Sequence, residues 1–237
     1  MKIDPIKIMI ANQHLQNVTE KVASTPNYPR DKFYRTIQNR VSEYQQMGCL
    51  EIVSEKLSDI ANMFIQCGNA DFAGIICSML VKLEQLPFEM REKYILQAID
   101  VAKRQNDTIH LVSRLEDLHR EYVNIGDKNK TLKILIKEEN TLKEIVGDFE
   151  TAQKNFKTLF YKNENVENFE NLLATIQVDI AKIIISKKPK KAIQKLKSAM
   201  RIFEKLGDME QYDFAEKMLA RAERNREVSK ISKRNRC

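Results

Sequence analysis

Tryptophan is absent from this chain of 237 residues, glycine occurs six times and proline five times. So few breakers rule out the turn-rich sequence of a β-sandwich or barrel and the low complexity of a linker. Period-2 alternation is nearly missing as well. The richest β-branched run, Ile183-Ile184-Ile185, ends a pattern of helical period, so the fold class expected is all-α. The four cysteines, Cys49, Cys67, Cys77 and Cys237, make no CxxC pair and no closely spaced framework, which points to reduced thiols in a cytoplasmic protein. His14, His110 and His119 never pair at i, i+4, so no familiar zinc motif is present, and they are expected at surfaces or helix edges. There is no GxxxxGK[ST], GxGxxG or GxSxG, and hence no sign of an enzyme or of a cofactor. No run approaches the roughly 18 apolar residues of a membrane span. The opening MKIDPIKIMI, broken by Asp4 and Pro5, is too short to read as a leader.

What is there is helical periodicity. In Leu57 to Pro87, Leu57, Ile60, Ala61, Phe64 and Ile65 fall on one helix face, Gly68 stops that helix, and Phe72, Ala73, Ile76, Met79, Leu80, Leu83 and Leu86 form a second stripe that Pro87 ends. Upstream, Asp4-Pro5 opens a helix with Ile6, Met9, Ile10, Val18 and Val22 on one side. Ser24 to Pro29 is a loop, and Asp31 caps the next helix. Breakers then recur at Gly48, Gly68, Pro87, Asn106-Asp107, Gly126-Asp127, Gly147-Asp148, Asn163-Glu164-Asn165, Pro189 and Gly207-Asp208. Their steps of about 20 residues hold one helix each, about 27 Å long, and short turns between equal helices force antiparallel neighbours. Stripes such as Leu132–Leu135–Leu142–Ile145, Phe149–Ala152–Phe156–Leu159–Phe160 and Tyr212–Ala215–Met218–Leu219–Ala222 continue the beat. Phe64, Ile76, Leu115, Ile176 and Phe203 are expected in the core. After Ala222 the pattern dissolves, so the helix is expected to fray.

The hairpin resembles a tetratricopeptide repeat: Ala61, Phe64, Gly68, Ala73 and Pro87 follow that family's order of small residue, aromatic, turn glycine, small residue and late proline. Weaker echoes place Tyr122 and Gly126, and Phe203, Gly207 and Ala215, in comparable roles. The family's tryptophan and first glycine are missing, Pro87 comes late, and the unit of about 40 residues is longer than the family's 34. The resemblance implies antiparallel helix pairs stacked as a right-handed α-solenoid of about ten to eleven helices. It also implies a concave groove that takes a peptide or partner helix. The expected organisation is an N-terminal helix and loop over 1–30, a helical-repeat domain over 31–227 and a basic, disordered tail over 228–237.

Charge is unevenly spread. From Lys182 to Lys197 there are seven lysines and no acid, from Arg221 to Cys237 seven basic and two acidic residues, and the whole chain is +7, which leaves −5 for the remainder. The candidate partner-binding residues are therefore Lys187, Lys188, Lys190, Lys191, Lys195 and Arg234. Glu139, on the Leu135–Leu142 stripe, is expected at its solvent edge. The function expected is a non-enzymatic interaction scaffold whose partner is another protein, a peptide or helix of acidic character. The alternative is a nucleic-acid-associated helical protein that uses the basic C-terminal quarter. No aromatic residue interleaves the basic stretches, so base stacking has no support.

Overall fold

The computed structural model describes the backbone of residues 5–25, 27–156 and 165–234. About 85% of it is helical, with no strand among the described residues. The helices are α1 (Pro5–Ser24), α2 (Arg30–Gln46), α3 (Leu50–Gln66), α4 (Ala70–Leu80), α5 (Phe88–Arg104), α6 (Thr108–Asn124), α7 (Lys128–Gly147), α8 (Phe149–Asn155), α9 (Val166–Ile184), α10 (Pro189–Leu206) and α11 (Met209–Arg234). The fold is all-α, as the periodicity implies. The chain divides into two compact units, Met1–Gln105 and Asn106–Cys237, and the division falls within the span read above as one repeat domain.

The first unit packs α1 on α2, α2 on α3, α3 on α4 and α4 on α5, with further contacts between α1 and α3 and between α2 and α4. Phe33, Phe64 and Phe72 meet at its centre. Phe33 stands edge-on to the other two, with ring centroids 5.8 and 5.1 Å away, the arrangement that ring quadrupoles favour. Hydrogen bonds tie α3 to α5: Tyr94 Oη donates to Ser54 Oγ at 3.0 Å across 40 residues, and Ser58 Oγ to Gln97 Oε1 at 3.0 Å across 39. These separations are the two-helix period read from the breakers.

In the second unit α6 packs on α7, α7 on α9, α9 on α10 and α10 on α11, while short α8 lies against α6 and α7. Its core runs from Ile109 through Leu142, Leu173, Ala174, Ile180 and Leu196 to Ala215 and Ala222. The five expected core residues, Phe64, Ile76, Leu115, Ile176 and Phe203, are all buried.

Four turns are built alike. Gly48, Gly68, Gly126 and Gly207 have φ between 69° and 76°. In each turn the glycine N–H bonds the carbonyl three residues back, and the following N–H bonds the carbonyl five back, on Tyr44, Phe64, Tyr122 and Phe203. This double closure satisfies the last carbonyls of the helix and needs a residue tolerant of the left-handed region. The aromatic four positions before the glycine is buried every time, so one short motif both ends the helix and anchors its last turn. Asn106, with φ of 53°, takes the left-handed position after α5.

Several expectations fail in instructive ways. Gly147 is not among the positive-φ glycines; it is the last residue of α7, and Asp148 caps α8 by accepting from the Thr151 N–H. Of the three Gly-Asp turns, those at Gly126 and Gly207 are thus of the left-handed kind and the one at Gly147 is not. Helix α4 stops at Leu80 rather than at Pro87, and three-residue turns carry the chain through Leu83 and Leu86, both still buried. Pro87 biases its predecessor away from helix and itself opens α5. Pro29, not Asp31, occupies the capping position of α2. In α1 the buried face is Leu15, Thr19 and Val22, whereas Met9 and Ile10 are exposed. Helix α11 does not fray after Ala222 but continues to Arg234; the tail beyond it, like Asp4, Leu159, Phe160, Asn163 and Glu164, lies outside the described residues.

Candidate interaction site

Helix α9 ends where the N–H groups of Lys187 and Lys188 both turn back to the Ile184 carbonyl, at 3.0 and 2.7 Å. Lys188 then stands in the capping position of α10 with no side-chain cap bond, and Pro189 begins that helix, where its missing N–H costs nothing. Ile185 and Ala192 are buried on either side and fix the corner. Lys187, Lys188, Lys190 and Lys191 are all exposed on it.

The first turn of α10 has no acid, and none of the four lysines pairs with a carboxylate among the described residues. Other cations of α9 and α10 behave otherwise: Lys182 pairs with Asp179 at 2.8 Å and Lys205, in the last turn of α10, with Glu170 at 2.7 Å. Close like charges in water repel by about 1 kcal/mol per pair. Lys190 and Lys191 also sit at the positive end of the α10 dipole. The corner is therefore a concentrated positive field with no paired counter-charge among the described residues.

Lys195, placed with these lysines by the sequence, does not belong to the corner. It is half-buried and its Nζ bonds both carboxylate oxygens of Glu139. That corrects the expectation for Glu139 as well, which is only 2% exposed. It lies inside because α10 brings Lys195 to it, while Lys143, one turn along α7, adds a contact at 2.8 Å and Gln177 Nε2 of α9 donates at 3.4 Å. Burial alone would raise the Glu139 pKa, but the two ammonium groups outweigh it and the net shift is downward. The side chain of Arg234 lies outside the described residues.

The neighbouring Glu138 is 0% exposed. Its Oε2 meets His119 Nδ1 at 2.9 Å, and Oε1 has no partner among the described residues. Burial pushes the Glu138 carboxyl upward, further than the histidine draws it down. Burial also works against a charged His119, yet the hydrogen bond and charge of Glu138 win, so its pKa is raised. His119 is thus a partner in a helix bridge rather than a free surface histidine. His110 likewise holds the capping carboxylate of Asp107, at 2.6 Å. The signal that was available for the carboxylates is positional: residues 138 and 139 stand three and four past Leu135, on the buried stripe itself.

This network joins α6, α7, α9 and α10, but no described group of three or more His, Cys, Asp or Glu is placed to hold a metal ion. No described helix is long and apolar enough to cross a membrane. No family model matches the sequence, and no curated protein matches it. One solved structure that does match is described as a "Circular tandem repeat protein with novel repeat topology and enhanced subunit contact surfaces". The match covers 86% of this chain and 46% of that one, at 15% identity and a TM-score of 0.28. The chain thus spans about half the length of the structure it matches.

Proposed function

We propose that this protein is a non-enzymatic interaction module of paired helices that holds an acidic peptide or partner helix against the lysine corner between α9 and α10. The observation that carries the reading is the set of four exposed lysines at the α9–α10 corner, unpaired among the described residues while Lys182 and Lys205 on the same two helices are paired. Stacked helix pairs supply binding surface without a reactive site. The peptide groove implied by the tetratricopeptide resemblance belongs to the same reading. Cys49, Cys67 and Cys77 are free thiols, which suits a reducing, cytoplasmic setting.

The test replaces Lys187, Lys188, Lys190 and Lys191 together by Gln. Partners recovered by pull-down and identified by mass spectrometry are then titrated against both forms over a range of salt. The variant should bind more weakly and with a flatter salt dependence, at equal or higher melting temperature. Unchanged affinity for every recovered partner overturns the reading and leaves the lysines as a solubility feature. Recovery of RNA or DNA alone, bound with a steep salt slope, overturns it in favour of a phosphate-backbone binder.

A further inference from the structure

We infer that the docking surface continues from the corner along the exposed face of α10, and that its occupant is an acidic amphipathic helix of a partner protein laid lengthwise on that face. The inference rests on the corner reading above and extends it to Lys197 and Arg201. Lys190, Gln194, Lys197 and Arg201 follow one another at steps of four, three and four residues, which keeps them on one face. All four are exposed. The row from Lys190 to Arg201 is about 16 Å long at 1.5 Å per residue. The opposite face, with Ala192, Ile193, Leu196, Ala199 and Phe203, is buried in the core of the second unit, and α10 packs on both α9 and α11. The cationic row therefore cannot rotate away from solvent.

The first acid in α10 is Glu204, one turn past Arg201, so no acid lies within the row from Lys190 to Arg201. Lys190, Lys197 and Arg201 have no carboxylate partner among the described residues, whereas Lys195, off this line, and Lys205, one turn past Arg201, are both engaged. The row is straight and one side chain wide. An amphipathic helix presents one straight line of carboxylates at the same steps of four and three residues, neighbours about 5–6 Å apart at Cβ. A duplex presents two curved rows of phosphates, which are met by cations spread across a face. No aromatic lies within the row for a base to stack on. Shape and charge together favour the helix.

Three probes test this against the full-length protein. One is a helical peptide with Glu at i, i+4, i+7 and i+11. The second has the same composition with the Glu residues dispersed around the helix, and the third is a short RNA duplex. The proteins are wild type, K197Q/R201Q, the four-lysine corner variant, and K133Q/K137Q, which removes two exposed lysines of α7. Circular dichroism verifies that each is folded. Wild type should prefer the aligned peptide over the dispersed one by about tenfold, K197Q/R201Q should lose about tenfold in affinity for it, and K133Q/K137Q should stay within about twofold of wild type. If K197Q/R201Q binds the aligned peptide as wild type does while the corner variant is weakened, the extension along α10 fails and the corner reading stands. If neither variant is weakened, both fail. Equal loss in K133Q/K137Q, or tighter binding of the RNA duplex than of the aligned peptide, overturns the helical occupant.

Discussion

The two units solve the same problem, joining helices that are not sequence neighbours, with different chemistry. Among the described residues of the first unit the buried polar ones are Thr19, Ser54 and Ser58, all neutral. The α3–α5 bridge there is a ladder of hydroxyls and an amide: Tyr94 to Ser54, and Ser58 to Gln97, which reaches on to Asn62 at 2.7 Å. In the second unit Glu138 and Glu139 are buried in mid-helix and are met by His119, Lys143 and Lys195. A neutral ladder contributes a modest hydrogen bond per rung. A buried ion network has to offset a large desolvation cost, so losing one partner is expensive and the balance follows pH. The two units should therefore differ in response to pH and to loss of one polar partner, and agree wherever they share a device.

The largest effects test the shared device. Phe64 and Phe203 are fully buried, each four residues before a left-handed glycine. Phe64→Ala and Phe203→Ala should each cost about 3–5 kcal/mol in urea unfolding. A cost under about 1 kcal/mol for either would mean that its helix face is not core.

The next test separates the units. Lys195→Ala leaves a buried carboxylate with Lys143 as its remaining cation and should cost about 2–3 kcal/mol. Tyr94→Phe should cost only about 1 kcal/mol, because the Ser54 hydroxyl still donates to the Glu51 carbonyl at 2.7 Å. Equal costs in the same denaturation series would erase the contrast.

The pH response follows from the direction of each shift. His119 is raised, so its contribution is whole below about pH 6.5 and is lost as pH rises through the folded value. Glu138, also raised, acts in the same sense starting from about pH 4.3, while Glu139, lowered, contributes above about pH 4.3 and fades as pH falls through its folded value. Hydrogen exchange, corrected for intrinsic rates, should show α6 and α7 losing protection relative to α3 and α5 as pH rises above about 6.5. His119→Gln should remove the histidine's share of that loss and leave the share of the buried Glu138 carboxyl. A parallel decline in both units would show that the network does not set it.

The smallest effects return to the common turn. No atom lies within 4 Å of a Cβ built on Gly68 or Gly207, and both have positive φ. Gly68→Ala and Gly207→Ala should each cost about 1 kcal/mol, through backbone conformation alone. A cost of several kcal/mol at one site, read by thermal melting, would reveal packing that the two turns do not share.

Helix identity, the two-helix period and most of the core were legible along the chain. So were the left-handed turns, because a glycine four residues after an aromatic is a local arrangement that closes on its own backbone. Charge density was legible too, and the four corner lysines are exposed where the charge run and Pro189 placed them. The lysine run did not reveal which of its members stays in solvent. Lys191 and Lys195 are one turn apart on α10, yet Lys191 is exposed and Lys195 binds a carboxylate 56 residues away. Glu139 looked like an edge residue because its cation comes from another helix. The end of α4 and the buried face of α1 escaped for a related reason: apolar spacing says that a face exists, not which neighbour arrives to cover it. Periodicity and turn chemistry act within a few residues and can be read in order. Burial of a charge depends on what a distant helix carries to the same point, and that juxtaposition exists only once the helices have packed.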